Sequence, residues 1–261
     1  MIRMVPFVAG SVMAYMTVIY LIALWLRRND LADVAWGPGF VLAAAAAFWA
    51  EDAWTWRGLT VAGLVLIWAL RLALHIHARG RGKGEDPRYR KWREEWGRWV
   101  ALRSFLQVFM LQGFFLLVVA APVLFVIAAP PTPGTWLDAL GVLVWLIGFL
   151  FEAIGDWQLL RFTRDPGNAG RLMTDGLWRY TRHPNYFGEV TLWWGIWLIA
   201  LGRPGGWLTI VGPLTITLLI LKVSGIPMLE RRYDGRPDFE AYRRRTSPFF
   251  PLPPRTGGPS S

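Results

Sequence analysis

Long apolar runs separated by short polar segments make up most of the sequence. A helix needs about 20 mainly apolar residues to cross the hydrocarbon core of a bilayer. Seven runs approach or reach this length, at residues 5–26, 31–50, 59–78, 105–128, 136–160, 184–201 and 207–225. The pattern predicts an all-α fold, a polytopic membrane bundle of about seven transmembrane helices.

The positive charges alternate between the connecting segments. The segments after the first, third, fifth and seventh runs carry most of the Arg and Lys residues, whereas residues 51–57, 130–135 and 202–206 carry very few. Under the positive-inside rule this predicts an amino terminus outside and a carboxyl terminus in the cytosol. Membrane topology is itself an alternative explanation for much of the Arg content. The Pro-, Gly- and Ser-rich residues 251–261 are expected to be a disordered tail.

Composition excludes several classes of protein. The net charge is +10, but the Arg and Lys residues lie in the short segments that connect the apolar runs, so we expect no nucleic-acid partner. The absence of Cys excludes disulfides, iron–sulfur clusters and thiol nucleophiles. His75 and His77 are two residues apart on a predicted helix and point in different directions, so we expect no metal site there. No Gly-x-Gly-x-x-Gly or Walker motif occurs, so any dinucleotide would be held by the membrane bundle.

An Arg-rich cytosolic segment, residues 161–183, leads into the sixth apolar run. Pro184 suits the first position of a helix, whose exposed N–H groups and positive dipole end would then point toward this segment. Arginine presents a fork of donors that matches phosphate oxygens. The members of the predicted phosphate-binding cluster are Arg161, Arg164, Arg171, Arg179 and Arg182.

Asn185 and Glu189 are four residues apart and share one face of the predicted helix. An amide beside a carboxylate can bind a carboxamide or a ribose. The simpler alternative is that Glu189 favours the helix dipole and pairs with an Arg.

This region resembles the carboxyl-terminal half of the steroid 5-alpha-reductase superfamily, in particular its bacterial 5-alpha-reductase-like branch. The likeness is strongest over residues 152–250. The matching motif is Gly176-Leu-Trp-Arg-Tyr-Thr-Arg-His-Pro-Asn-Tyr-Phe-Gly-Glu189, with Arg164-Asp-Pro-Gly167, Glu240-Ala-Tyr242 and Pro248-Phe-Phe250 around it.

The resemblance implies a seven-helix fold that binds NADPH in the cytosolic half of the bundle. It implies one integral membrane domain over residues 1–250, with the substrate-side helices in residues 1–130 and the cofactor-binding half in residues 131–250. The implied cofactor-binding residues are Arg79, Arg81, Asp156, Arg164, Arg171, Tyr180, Arg182, His183, Asn185, Tyr186 and Glu189.

An Arg-His-Pro-x-Tyr pattern also resembles the isoprenylcysteine and phospholipid methyltransferases, which bind S-adenosylmethionine. A membrane methyltransferase is therefore the alternative function. The arginine cluster favours NADPH, because three phosphate groups match its charge better than a sulfonium does.

The amino-terminal half holds candidates for the catalytic groups. Asp33 is an acid within the second apolar run, which is a functional hypothesis by default, although an Asp near the membrane interface would also fit. Trp68, Arg71 and His75 recur at steps of three and four residues and share one helix face. Steroid 5-alpha-reductases use a Glu and a Tyr to polarise the substrate carbonyl, and this chain has Trp36 and Trp68 at those positions.

We therefore expect Asp33, Arg71 and His75 to supply the catalytic groups. Residues 83–98 mix both charges with Trp and Tyr, and they predict an interfacial helix on anionic lipid or, alternatively, a lid over the cofactor.

Taken with the resemblance, the sequence predicts an NADPH-dependent oxidoreductase that reduces a C=C bond in a lipophilic, steroid-like or unsaturated lipid. Its expected partners are that substrate and membrane lipids. Its expected location is the bacterial inner membrane, with the cofactor side in the cytoplasm.

Overall fold

The computed structural model describes residues 3–80 and 84–255. Its α-helices, in chain order, are α1 (Met4–Leu26), α2 (Leu31–Glu51), α3 (Trp56–Gly80), α4 (Pro87–Trp96), α5 (Val100–Arg103), α6 (Leu111–Val119), α7 (Ala121–Ala128), α8 (Trp136–Arg164), α9 (Pro184–Leu201), α10 (Val211–Leu218), α11 (Ile226–Glu230) and α12 (Pro237–Arg245). No β-strand forms among these described residues, where β-pairing consists of an isolated bridge between Thr181 and Ser247. The predicted all-α fold is confirmed.

Six helical segments of the described chain are long and apolar enough to cross a membrane. They are Met4–Leu26, Leu31–Glu51, Trp56–Gly80, Pro87–Val119, Trp136–Arg164 and Gly206–Tyr233. The protein is therefore an integral membrane protein. The remaining predicted span, residues 184–201, forms helix α9 with the predicted bounds, but it is not among the six. Asn185 and Glu189 make the first turns of this helix polar.

The fourth predicted span begins earlier than its apolar run indicated. The predicted span starts at residue 105, whereas the helical segment starts at Pro87 and comprises 33 residues, Pro87–Val119. The charged helix α4 continues into α6 through a 3-10 turn and a π-helical stretch. The Asp86 side chain accepts the Arg88 N–H, and Pro87 occupies the first turn, so α4 has a well-formed amino-terminal cap.

The described chain forms two compact units. Unit 1 comprises the described part of Met1–Asp138 together with Ile199–Gly212. Helix α2 packs against α1, α3 and α7 within this unit. Each of these helices contains an apolar window of 18 residues. In α2, 56% of this window is buried, but in α1 and in α3 only 22% is buried. Helix α2 therefore forms the centre of unit 1, while α1 and α3 keep wide apolar faces for lipid.

Unit 2 comprises Ala139–Leu198 and the described part of Pro213–Ser261, and its helices α8 and α9 pack backbone to backbone. A Cβ at Gly148 would overlap the Leu192 nitrogen, and a Cβ at Gly188 would overlap the Glu152 nitrogen. Small residues permit this close approach of membrane helices. The contact holds the first turns of α9 directly against the second half of α8.

The chain after α12 is also fixed within unit 2. The Leu252 N–H donates to the Tyr180 carbonyl at 3.0 Å, and the Arg255 N–H donates to the Arg245 carbonyl at 2.9 Å. Of the tail expected to be disordered, residues 251–255 are thus hydrogen-bonded to the rest of unit 2. Residues 256–261 lie outside the described residues.

Candidate functional site

The residues just before α9 are fixed by the carboxyl-terminal segment of unit 2. The Thr181 hydroxyl donates to the Phe249 carbonyl at 2.8 Å. The Arg182 N–H donates to the Ser247 carbonyl at 2.9 Å. These bonds hold the predicted motif in place as it enters α9 at Pro184.

Arg182 and His183 are both buried and share one carboxylate. The Arg182 Nε donates to Glu230 Oε1 at 2.8 Å, and His183 Nε2 lies 2.9 Å from the same oxygen. The Arg182 Nη1 also donates to the Thr246 carbonyl at 2.5 Å. Arg182 is only 6% exposed. Its guanidinium therefore holds unit 2 together, in contrast to the open phosphate-binding role that the sequence suggested.

The surroundings of His183 define its protonation. Burial lowers the pKa of His183, which outweighs the opposite effect of the Glu230 carboxylate. A neutral imidazole beside a carboxylate must donate through Nε2, so Nδ1 is the acceptor nitrogen. Nδ1 is buried and makes no hydrogen bond within the described chain. The imidazole stacks on Tyr186, with ring centroids 5.5 Å apart.

Asn185 and Asp156 form the polar contact between α9 and α8. The Asn185 Nδ2 donates to Asp156 Oδ1 at 3.1 Å, and Asp156 is 6% exposed. The Asn185 Oδ1 is buried and accepts no hydrogen bond from the described residues. Glu189, one turn later on α9, is partly buried. The structure thus joins two predicted residues directly and leaves one amide oxygen able to accept a hydrogen bond from a ligand.

The Arg-rich loop between α8 and α9 is ordered but open to solvent. The side chains of Arg164, Arg171, Arg179 and Tyr180 are exposed. The Asp165 carboxylate accepts the Gly167 N–H at 2.9 Å. The Arg236 guanidinium donates to the Gly170 carbonyl at 2.8 Å, which ties the loop to the segment before α12. The loop therefore presents several cations on a fixed backbone.

In unit 1, Asp33 lies in the first turn of α2 and has two partners from α4. The Tyr89 hydroxyl donates to Asp33 Oδ1 at 2.7 Å, and the Arg88 Nη2 donates to Asp33 Oδ2 at 2.9 Å. Tyr89 is 6% exposed, and the Asp33 side chain is 32% exposed. Arg79 lies within electrostatic range of Asp33. Helix α4 is thus attached to the start of α2.

The predicted face of α3 lies beside an aromatic cluster. Phe40 contacts Trp36 and Trp68 edge-on, with centroid distances of 5.0 and 5.5 Å. Trp68 is fully buried, and Arg71 and His75 on the same helix are partly buried. Trp36 and Trp68 therefore both contact Phe40, which connects α2 with α3. Arg81 lies outside the described residues.

Comparison with known proteins places the chain in one family. The family described as a protein of unknown function (DUF1295) matches residues 19–246. The chain belongs to this family. No curated protein and no solved structure matches it. In this DUF1295 protein the match extends from within α1 to just past the end of α12, and it includes Asp33, Tyr89, Asp156, Asn185 and Glu230.

Sequence reasoning missed three partners of the predicted residues. Glu230 lies 47 residues after His183, and Arg88 and Tyr89 lie 55 and 56 residues after Asp33. A carboxylate at the end of an apolar run was the only signal for Glu230. The basic and aromatic composition of residues 83–98 predicts an interfacial helix but does not indicate a contact with α2.

The described residues do not suggest a metal centre. Among residues 3–80 and 84–255, no group of three or more His, Asp or Glu side chains could hold a metal ion. The partly buried carboxylates of the two clusters, Asp33 and Glu230, instead contact arginine, histidine or tyrosine side chains.

Proposed function

We propose that this DUF1295 protein is a membrane-embedded reductase that uses NADPH to reduce a carbon–carbon double bond in a lipophilic substrate. The observation that carries the proposal is the pair of Asn185 and Asp156, joined at 3.1 Å, with the Asn185 Oδ1 buried and without a donor in the described chain. The resemblance of the surrounding motif to the steroid 5-alpha-reductases supports the same cofactor.

The residues of unit 2 fit the nicotinamide end of NADPH. Leaving a buried acceptor without a partner costs about 1–3 kcal/mol, so the Asn185 Oδ1 favours a ligand that brings a donor. The carboxamide of nicotinamide carries an NH₂ group that can supply this hydrogen bond. Asp156 fixes the orientation of the Asn185 amide, because a carboxylate accepts only from its Nδ2.

The loop before α9 fits the phosphate end of the cofactor. Arg164, Arg171 and Arg179 are exposed there, and arginine binds phosphate oxygens through paired N–H groups. Arg182 is left out of this set because Glu230 and backbone carbonyls already accept its hydrogen bonds. The distribution of arginines supports a cytosolic position for this loop.

NADPH, when bound, would supply the hydride. We assign the polarisation of the substrate to Tyr89, whose hydroxyl is held by Asp33. Arg88 keeps that carboxylate paired, so Asp33 and Arg88 position the phenol. On substrate binding, the Tyr89 O–H can turn from the carboxylate to a substrate carbonyl oxygen and stabilise the negative charge that develops there. Arg71 and His75 are further candidates for a contact with the same carbonyl oxygen of the substrate.

A methyltransferase is the alternative. Its support is the Arg182-His183-Pro184 sequence, which isoprenylcysteine and phospholipid methyltransferases share. S-adenosylmethionine carries a positive sulfonium and no phosphate, so the exposed arginines favour NADPH.

The test is retention of nucleotide by the full-length protein. The protein is purified in an uncharged maltoside detergent without added nucleotide and denatured, and the released small molecules are identified by mass spectrometry. We expect NADPH or NADP⁺. Recovery of S-adenosylmethionine or S-adenosylhomocysteine alone would reverse the assignment.

Matched variants locate the site. Arg171→Gln should weaken NADPH binding about tenfold or more, since a hydrogen bond to a charged group contributes roughly 1.5–3 kcal/mol. Asn185→Leu should weaken it roughly two- to tenfold, since a neutral hydrogen bond contributes about 0.5–1.5 kcal/mol. Arg103→Gln and Gln107→Ala remove an arginine and a side-chain amide at exposed positions of unit 1 and should leave binding unchanged. Equal binding by all four variants would rule out the proposed site.

A further inference from the structure

Two buried arginines lie in unit 1 at the end of α2 that is remote from Asp33. Arg57 lies in the first turn of α3, shortly after the end of α2, and is 1% exposed. Arg203 precedes α10 and is 5% exposed. Helix α2 has 21 residues and is therefore ~30 Å long, so this cluster and the Asp33 cluster lie at opposite ends of the helix.

One carboxylate is committed to one of these arginines. Arg57 forms a two-point ion pair with Asp138, at 2.6 Å from Nε to Oδ1 and 2.7 Å from Nη2 to Oδ2. Asp138 also accepts the Thr135 N–H at 2.7 Å. The geometry is that of a fully engaged Arg–carboxylate pair.

Arg203 has neutral hydrogen-bond acceptors. Its Nη1 donates to the Thr132 hydroxyl at 3.1 Å, and its Nη2 donates to the Pro130 carbonyl. The Thr132 hydroxyl also accepts from Arg57, so the two guanidinium groups share it. Burial lowers the pKa of Arg203, and the positive charge of Arg57 lowers it further. The cluster therefore holds two buried cations and one carboxylate, an imbalance that favours the entry of an anion.

A cavity of about 280 Å³ lies against Arg203. Its wall is mainly apolar and comes from Phe125, Ala128, Ala129 and Pro204, with Pro130 and Thr132 beside the guanidinium. The volume is close to the lower end, roughly 300 Å³, of small-molecule sites in proteins. An apolar wall with one cation matches a ligand that has an anionic head and an apolar chain.

We propose that this cavity binds an anionic amphiphile, with its oxyanion paired to Arg203 and the first part of its chain against Phe125 and Ala128. The oxyanion belongs either to a free fatty carboxylate or to the head group of a membrane phospholipid. The site is independent of the proposed reductase chemistry, because its residues belong to neither of the clusters assigned to that reaction.

The test measures binding to the full-length protein in uncharged detergent through the shift of its unfolding midpoint. The probes are decanoate, decanol, inorganic phosphate at constant ionic strength, and phosphatidylglycerol. Decanoate or phosphatidylglycerol should raise the midpoint of the unaltered protein, while decanol should not. A response to phosphatidylglycerol assigns the ligand to membrane lipid, and a response to decanoate alone assigns it to a free carboxylate.

Two variants test the position of the site. Arg203→Gln should weaken the response about tenfold or more, which matches the loss of a charge-assisted hydrogen bond. Ala129→Leu narrows the cavity but removes no hydrogen-bond partner of Arg203, so it tests the site even if Arg203→Gln fails to fold. Arg103→Gln removes an exposed charge elsewhere in unit 1 and should keep the full response.

The proposal is overturned if decanol acts as strongly as decanoate, or if both variants keep the response of the unaltered protein. It is also overturned if phosphate alone acts as strongly as the amphiphiles, which would indicate a site for free anions, or if no probe shifts the midpoint.

Discussion

His183 Nε2 lies 2.9 Å from Glu230 Oε1, the same carboxylate oxygen that accepts the hydrogen bond of Arg182 Nε. One oxygen thus connects the residues just before α9 to the end of α11. His183 and Glu230 are 47 residues apart, so the contact joins two parts of unit 2 that are distant in the sequence. It fixes the turn from which Pro184 and Asn185 enter α9, and so it positions the proposed cofactor contact.

The first prediction concerns the pH dependence of stability. Burial lowers the pKa of His183 in the folded protein below its value in the unfolded chain, about 6.5. The folded state therefore binds fewer protons than the unfolded state, so the contribution of His183 is complete above about pH 6.5 and is lost as the pH falls toward the folded pKa. We therefore expect the thermal unfolding midpoint to decrease as the pH is lowered from about 7.5 to about 5, the range that includes the pKa of an unperturbed histidine. The midpoint is measured by Trp fluorescence.

His183→Gln tests this assignment. The Gln amide can still donate to Glu230 but does not titrate, so this variant should show a smaller fall of the midpoint. His77→Gln, at an exposed position, should behave like the unaltered protein. A fall of the same size in all three proteins would assign the pH dependence to other groups.

The second prediction concerns Arg182. Removal of one partner from a buried ion pair leaves the other charge uncompensated, which costs about 3–5 kcal/mol. Arg182→Gln should lower the free energy of unfolding by up to this amount, because the partly buried Glu230 carboxylate keeps its contact with His183. The change is measured by detergent denaturation. Arg179→Gln, three residues earlier and exposed, should change it by less than about 0.5 kcal/mol. Equal effects would mean that Arg182 is not a structural residue of unit 2.

The bounds of the membrane helices followed closely from the sequence. Apolar runs began at residues 31 and 136, and α2 and α8 begin there. Pro184 predicted the start of α9 because proline suits the first helical position. The start of the fourth span was missed, since α4 is charged and hydrophobicity does not reveal a polar helix that is continuous with an apolar one.

The partners within the candidate sites could not be predicted in the same way. Spacing of three or four residues predicts neighbours on one helix, such as Asn185 and Glu189. The contacts of Asp33 with Tyr89, and of His183 with Glu230, join residues about 50 positions apart. Such contacts depend on helix packing, which a single sequence does not specify.

The third prediction concerns the contact of α8 with α9. A Cβ at Gly188 would overlap the backbone nitrogen of Glu152, and a backbone cannot move aside as a flexible side chain can. Gly188→Ala should therefore lower the free energy of unfolding by about 1–3 kcal/mol. At Gly63 in α3 a Cβ would meet nothing within 4 Å, so Gly63→Ala should be neutral or stabilise by up to about 1 kcal/mol. Both variants are measured in one denaturation assay. Equal effects of the two would contradict the close backbone contact between α8 and α9.

The last prediction concerns Tyr89 and rests on the proposed reductase. Tyr89→Phe keeps the buried ring but removes the hydroxyl that donates to Asp33 at 2.7 Å. Loss of a donor to developing oxyanion charge typically slows turnover by roughly two to three orders of magnitude, so kcat should fall by that factor. The measurement is substrate-dependent oxidation of NADPH by purified protein, with NADPH binding as a second readout.

Tyr20→Phe removes a comparable hydroxyl, which donates to the Ala101 carbonyl at 3.1 Å, and should leave kcat nearly unchanged. If Tyr89→Phe lost stability but kept kcat, the hydroxyl would serve only to attach α4 to α2. A fall in kcat with NADPH binding intact would assign it to the substrate carbonyl instead.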